Sequence, residues 1–228
     1  MGILNPSSLS ETIDAINEAY FLNKGLTKSE RVEAAKWVAS RQGERGSYFG
    51  MFAPTTADMA NGLKLFTGEV VRSRVGARHI LGEEACRALL LLDVPAQAVA
   101  AALKTATTNM LARIRENEIK NEVNGMYCCG ACSVAYWRNI LAGGLNKQEE
   151  RLKAGVKSLK SLRKGDGKWR RFPFYYTLLA LNEIDTKPAI EEMRYASPIL
   201  ERSLKRSPAN GKYSVRRRLL AERILAKC

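Results

Sequence analysis

At 228 residues, with 46% apolar, 26% charged and 7% aromatic side chains, the chain has the composition of a globular protein able to bury a sizeable core. It lies outside the disordered, collagen-like and membrane-embedded classes. Lys and Arg total 37 against 23 Asp and Glu, a formal charge of +14 that suits an anionic ligand or macromolecule as partner, or simply keeps the protein soluble.

The longest apolar runs, Ala88 to Leu92 and Val94 to Leu103, are divided by Asp93, and neither is long enough to span a bilayer. Met1 to Pro6 has no basic n-region, and Pro6 stands where a myristoylation signal needs Ser or Thr. Cys228 is the last residue rather than the fourth from the end, which a prenylation box requires. Five cysteines, at 86, 128, 129, 132 and 228, form an odd and clustered set rather than a disulfide framework, so a reducing, cytoplasmic setting is expected.

In chain order, Ser8 with Glu11, Thr27 with Glu30 and Asn146 with Glu149 each place a capping acceptor three residues before a carboxylate that can reach back, which predicts helix starts. Apolar periodicity predicts further helices over Thr56–Phe66, His79–Leu92, Cys128–Leu141, Phe174–Glu183 and Ser214–Ala226. Pro95 and Pro188 read as first-turn prolines, and Gly25, Gly143 and Gly165 as C-terminal caps. The sum is about ten helices with little or no strand: an all-α chain, 1–228 in a single domain.

A tripeptide of Gly, any residue, then Tyr or Trp recurs at Gly46-Ser47-Tyr48, Gly125-Met126-Tyr127, Gly167-Lys168-Trp169 and Gly211-Lys212-Tyr213. The first gap is close to double the other two, which gives a repeat of about 42 residues and predicts a degenerate copy near Gly82. The expected unit is an antiparallel helix pair, its glycine free to take a positive φ and its aromatic plugging the core beneath the loop. One pair cannot cover its own apolar face, so neighbouring pairs stack into an α-solenoid or an α/α toroid. The alternative is an irregular helical domain with unrelated Gly-Tyr turns.

Two copies carry more than the tripeptide. Leu162-Arg163-Lys164-Gly165-Asp166-Gly167-Lys168-Trp169 is followed by Thr177-Leu178-Leu179-Ala180-Leu181, and Trp37 to Gly43 is followed by Gly46-Ser47-Tyr48. A helix ending near Gln or Lys, an Asp-Gly-x-Trp turn and a Thr-x-x-Ala-Leu helix resemble the repeat of protein prenyltransferase β-subunits and squalene or terpene cyclases. The resemblance implies an α/α toroid, here incomplete or closed by homodimerisation, since a full ring takes about twelve helices. The motif is structural, and the family's chemistry does not come with it. The Asp-x-Asp-Asp acid of the cyclases does not occur here, and the Asp, Cys and His that hold zinc in the prenyltransferases have no matching signature around the single histidine.

Three constellations can carry chemistry. His79 and Glu83 stand one helical turn apart, with Cys86 a further turn along, and are the candidate acid–base pair; Glu84 is expected to face solvent or pair with Arg78 or Arg87. Arg78, Tyr127, Trp169, Arg170, Arg171, Tyr175 and Tyr176 mix guanidinium and aromatic faces as ligand-binding sites do, although Trp169, Phe172 and Phe174 also read as core plugs. Cys128, Cys129 and Cys132 form a Cys-x-x-Cys overlapping an i, i+4 pair at a helix start, a set that reacts, holds zinc or packs as small hydrophobes. No other cofactor is expected. Basic runs at Arg72 to Arg78, Lys147 to Arg171 and Arg202 to Lys227, densest at Arg216-Arg217-Arg218, suit a nucleic-acid backbone or a solvated face equally.

These features support a basic, aromatic-lined concave groove for a ligand or partner, with a toroid-type enzyme acting on an anionic or isoprenoid-like substrate and a nucleic-acid-binding helical repeat as the alternatives.

Overall fold

The computed structural model describes residues 2–118, 123, 125–206 and 210–228, with only the backbone of 117 and 206. Among them are ten helices: α1 (Leu9–Phe21), α2 (Lys28–Ser40), α3 (Thr56–Asn61), α4 (Arg74–Leu92), α5 (Gln97–Asn117), α6 (Gly130–Leu141), α7 (Gln148–Ser161), α8 (Phe174–Ile184), α9 (Lys187–Arg206) and α10 (Lys212–Lys227). One hairpin of two-residue strands, β1 (Leu63–Lys64) and β2 (Val70–Val71), completes an all-α protein whose helices pack on helices. None of the described helices is long and apolar enough to cross a membrane.

The chain divides into two compact units. The first comprises Met1–Leu63, Val70–Glu122 and Arg138–Asn146; the second comprises Lys64–Glu69, Val123–Trp137 and Lys147–Cys228. In the first, α4 is central: almost every residue from Gly76 to Leu89 is buried, and α1, α2 and α5 pack against it. A helix buried on nearly every side must also pair the polar groups it takes inside, here His79, Glu83, Glu84 and Arg87. In the second unit α9 takes that place, with α7, α8 and α10 around it. Ala189, Met193, Ala196 and Leu200 form its buried stripe at helical spacing. Pro198 lies inside α9 and has no N–H for the Arg194 carbonyl, which instead accepts a hydrogen bond from Ser197 Oγ at 2.9 Å.

The expected caps form at α1, where Ser8 accepts from the Glu11 N–H, and at α2, where Thr27 and Glu30 make a full capping box. The Asn146 and Glu149 box does not form. Lys147, in the left-handed conformation at φ 52°, takes the N-cap position of α7 without a side-chain bond. The helix expected over Thr56–Phe66 stops at Asn61, because Gly62 turns the chain at φ 74° and the hairpin follows. Met59, Leu63 and Phe66 matched a helical spacing, but Gly62 and Gly68 break it. Gly82 lies within α4, where an added Cβ would meet Met51 at 3.0 Å, so the expected degenerate copy of the turn is continuous helix.

Other tripeptides do occupy connections, and the repeat has a sharper form than the tripeptide alone. The α2–α3 connection is closed by a bridge between Gln42 and Phe52, and the α7–α8 connection by a bridge between Arg163 and Trp169. In the first, the Ala53 N–H donates to the Arg41 carbonyl at 2.9 Å and the Gly43 N–H to the Met51 carbonyl at 2.8 Å. The second repeats this position by position, Arg170 donating to Leu162 at 2.9 Å and Lys164 to Lys168 at 2.9 Å. Phe52 is therefore the counterpart of Trp169, and Gly50, at φ 66°, the counterpart of Gly167 at φ 84°. The register expected from Gly46-Ser47-Tyr48 is displaced by four residues, because the plug is a phenylalanine.

Candidate functional site

The second unit holds a groove of about 640 Å³ lined by Asp166, Lys168, Phe174, Tyr175, Ile199, Arg202 and Ser203. Its walls are the Asp166 to Lys168 turn, the first turn of α8 and the C-terminal half of α9. Asp166 shapes the turn by accepting the Lys168 N–H at 3.0 Å, an Asx turn, and pairs with Lys164 at 3.7 Å. Gly167 is buried with its Cα against Ile199, a residue of the groove wall.

Beneath the turn, Trp169 is a core plug. It is 3% exposed, donates its Nε1 hydrogen to Glu192 Oε2 at 2.9 Å and stacks on Phe174, with ring centroids 6.2 Å apart. Glu192, buried on α9, also accepts Arg163 Nε at 3.1 Å and Nη2 at 2.9 Å, and the same guanidinium lies 4.3 Å from the Tyr195 ring centre. Tyr195 Oη in turn accepts the Gly165 N–H and donates to the Lys168 carbonyl. The turn is thus fixed from α9 on both sides.

Glu69 reaches the start of α8. Its Oε1 accepts the Tyr175 N–H at 2.9 Å and the Tyr176 N–H at 3.1 Å, supplying the carboxylate that Pro173, at the N-cap, cannot. Tyr175 Oη shares a hydrogen bond of 3.0 Å with Ser203 Oγ across the groove, and the Arg217 guanidinium sits 4.9 Å from the Tyr175 ring centre.

Of the residues expected to meet a ligand, Tyr175 lines this groove. Tyr176 is 1% exposed and belongs to the core, as does Trp169. Arg170 and Arg171 are exposed; Arg171 has φ 61°, and its carbonyl passes 2.2 Å from where a Cβ on Gly130 would stand. Tyr127 is half-buried, its N–H bonded to Ser133 Oγ and its ring 6.2 Å from Tyr136. Arg78 lies on α4 in the first unit. Lys168, Arg202 and Ser203 are not among the expected ligand-binding residues, although Lys168 stands in the recurring turn and Arg202 opens a basic run; the spacing of Arg202 and Ser203 from Ile199 on one face of α9 is the further signal.

His79 and Glu83 do pair, at 3.0 Å, but both are 0% exposed. The Tyr48 ring lies 4.5 Å from the imidazole, and Asn139 Nδ2 donates to Glu83 Oε2 at 2.5 Å. Glu84, expected to face solvent or pair with Arg78 or Arg87, is buried and pairs with Arg138, while Asn17 Nδ2 donates to it at 3.0 Å. Arg87 instead donates to Asn17 Oδ1. Within this unit the two carboxylates are held in a buried polar network, Glu83 by His79 and Asn139 and Glu84 by Arg138 and Asn17.

The basic run on α10 is also largely engaged. Arg216 is 2% exposed, donates to the Phe66 carbonyl at 3.0 Å and covers the Phe66 ring at 4.0 Å; Arg217 Nε donates to the Thr67 carbonyl at 2.6 Å; Arg218 pairs with Glu222.

All five cysteines are free thiols. At the start of α6, Cys129 is the N-cap. Its Sγ accepts the Cys132 N–H at 3.5 Å, and its carbonyl accepts the Ser133 N–H at 2.8 Å. Cys128 and Cys129 are exposed and Cys132 is buried, with the sulfurs of Cys128 and Cys132 within 4.8 Å of each other. The Cys128 and Cys132 thiols and the N–H groups of Cys132 and Ala131 hold Cys129 far below the ordinary thiol range. As donors to that sulfur, Cys128 and Cys132 are pushed up.

No family model, curated protein or solved structure matches the chain.

Proposed function

We propose that the second unit is a binding module for a small anionic ligand that has an apolar or planar body. The observation that carries this reading is the convergence of Lys168 and Arg202 with the rings of Phe174 and Tyr175 in one groove. Aromatic walls and an aliphatic floor at Ile199 suit a flat or hydrocarbon body, and the cations suit its charge. The lining carries two positive charges and one negative, from Asp166, so a single phosphate or carboxylate with a neighbouring hydrogen-bond donor fits better than a polyanion. The resemblance of the Gly167-Lys168-Trp169 turn to the prenyltransferase and cyclase repeat supports testing an isoprenyl body beside a planar one, and an incomplete toroid of helix pairs is the architecture we propose with it.

The test is a titration followed by Trp169 fluorescence, since that ring stacks on Phe174 of the groove wall. Adenosine monophosphate and an isoprenyl monophosphate are compared with inorganic phosphate. Saturable quenching by either ester, weakened about tenfold in Arg202→Ala through loss of a charge-assisted contact, supports the reading. Equal response to all three, or an unchanged affinity in Arg202→Ala and Lys168→Ala, overturns it.

A further inference from the structure

The cysteines at the start of α6 lie outside the groove lining, and their arrangement has a chemistry of its own. We propose that Cys129 and Cys132 form a redox-active dithiol that undergoes thiol–disulfide exchange with disulfides, Cys129 attacking and Cys132 resolving.

Access and placement separate the two roles. Cys129 is exposed at the N-cap, where the Cys132 N–H donates to its sulfur at 3.5 Å, while Cys132 is fully buried in the first turn of the helix. A sulfur that accepts helix N-terminal N–H groups and neighbouring thiol protons is stabilised as the thiolate, the attacking form. A buried thiol cannot meet a bulky disulfide directly, but the backbone N–H of Cys132 already lies 3.5 Å from the Cys129 sulfur. The site is held rigid by Gly130: a Cβ there would stand 2.2 Å from the Arg171 carbonyl and 2.8 Å from Phe172 Cα, so the 171–172 backbone clamps the turn that carries both cysteines. The Ser133 hydroxyl donates to the Cys129 carbonyl at 2.8 Å and fixes the cap from the other side.

The reaction balances within the dithiol and its substrate. The Cys129 thiolate attacks one sulfur of R–S–S–R′; a Cys129–S–S–R bond forms, the substrate S–S bond breaks, and R′S⁻ leaves and takes a proton. Cys132 then gives up its proton and attacks Cys129 Sγ. The Cys129–Cys132 disulfide forms and RS⁻ leaves, accepting the Cys132 proton. Two electrons pass from the protein to the substrate, which departs as RSH and R′SH. Cys128 takes part in neither step.

The experiment uses the full chain, reduced and freed of reductant, with oxidised glutathione in one arm and insulin in the other. After alkylation, peptide mass analysis reads which thiols were lost. The expected result is a Cys129–Cys132 disulfide, with Cys128→Ser still competent, Cys129→Ser inert and Cys132→Ser trapped as a Cys129 mixed disulfide. Cys129→Ser keeps a good N-cap, so its circular dichroism should match the parent and its inertness is chemical. Reaction with glutathione alone assigns small disulfides as substrates; reaction with insulin as well assigns protein disulfides. A Cys129→Ser variant that reacts like the parent, a Cys132→Ser variant that traps nothing, or zinc bound in stoichiometric amount with both thiols unreactive would each overturn the proposal.

Discussion

Ser8 Oγ donates to Asp58 Oδ1 at 2.6 Å, across fifty residues of sequence. The same carboxylate accepts the Leu9 and Ser10 N–H groups at the start of α1 and, as the third residue of a capping box, the Thr55 N–H at the start of α3. One side chain therefore completes two helix N-termini, and its negative charge lies at the positive end of both.

Asp58→Ala is expected to destabilise the protein by ~2–4 kcal/mol, more than a single lost cap, because donors at both helices are left unpaired. Urea unfolding at neutral pH measures it. Burial raises the Asp58 pKa, but the Ser8, Thr55 and Ser10 donors outweigh it and hold it below the ordinary carboxylate value. A depressed folded pKa gives stability that is fully present above the unfolded value, near 4. That stability is lost as pH falls through the folded value. In Asp58→Asn the acid limb of stability below about pH 4 should therefore be shallower than in the parent.

Glu84→Ala leaves Arg138, 2% exposed, without its carboxylate and removes the acceptor of Asn17 Nδ2. The expected cost is ~3–5 kcal/mol, the range for a buried charge stripped of its partner, whereas Glu191→Ala, which breaks the exposed pair with Lys160, should cost ~0–1 kcal/mol. Thermal unfolding of the two variants side by side checks the contrast.

Two glycine substitutions should differ sharply. A Cβ on Gly155 would stand 2.5 Å from Trp137 Nε1 and 2.8 Å from the Gly125 carbonyl, the pair that hydrogen-bond each other, so Gly155→Ala forces α7 away from the Trp137 indole. Gly25 has open space around it. Gly155→Ala is expected to lose ~1–3 kcal/mol and Gly25→Ala to change little, read by denaturant midpoint and near-ultraviolet circular dichroism.

Arg216→Ala separates the structural from the nucleic-acid reading of the basic run. With its guanidinium on the Phe66 carbonyl and ring, the side chain is part of the fold. We expect reduced stability and an unchanged mobility shift on generic RNA at low salt, compared at a temperature where both proteins are folded. A lost shift at unchanged stability would assign this arginine to a phosphate backbone instead.

Local signals carried well from sequence to structure. Ser8, Thr27 and the apolar stretches of α4 and α8 announce themselves because caps and periodicity act within a few residues. The turn repeat is half legible: Gly167 and Trp169 show in the tripeptide, whereas Phe52 lies outside a pattern of Gly, any residue, then Tyr or Trp, and the hydrogen bonds that equate the two turns involve backbone, which has no signature of its own. His79 and Glu83 were correctly placed on one helix face, but the sequence does not show that Asn139 and Tyr48 close over them. The groove was the least legible, since Asp166, Tyr175 and Arg202 come together only when α9 lies along the turn.

The second unit is assembled from three separate stretches of chain, and its completion has an order in time. The carboxylate at the start of α8 comes from a residue 106 positions earlier, and the Arg216 guanidinium caps a carbonyl 150 positions earlier. During synthesis the 64–69 tip emerges long before either partner exists, and must wait for the last helix to arrive. No single cut of the polypeptide yields both units whole. Half-length fragments cut at any one boundary will therefore each lack a piece of the second core, and complementation between co-expressed fragments, rather than truncation, is the way to take this protein apart.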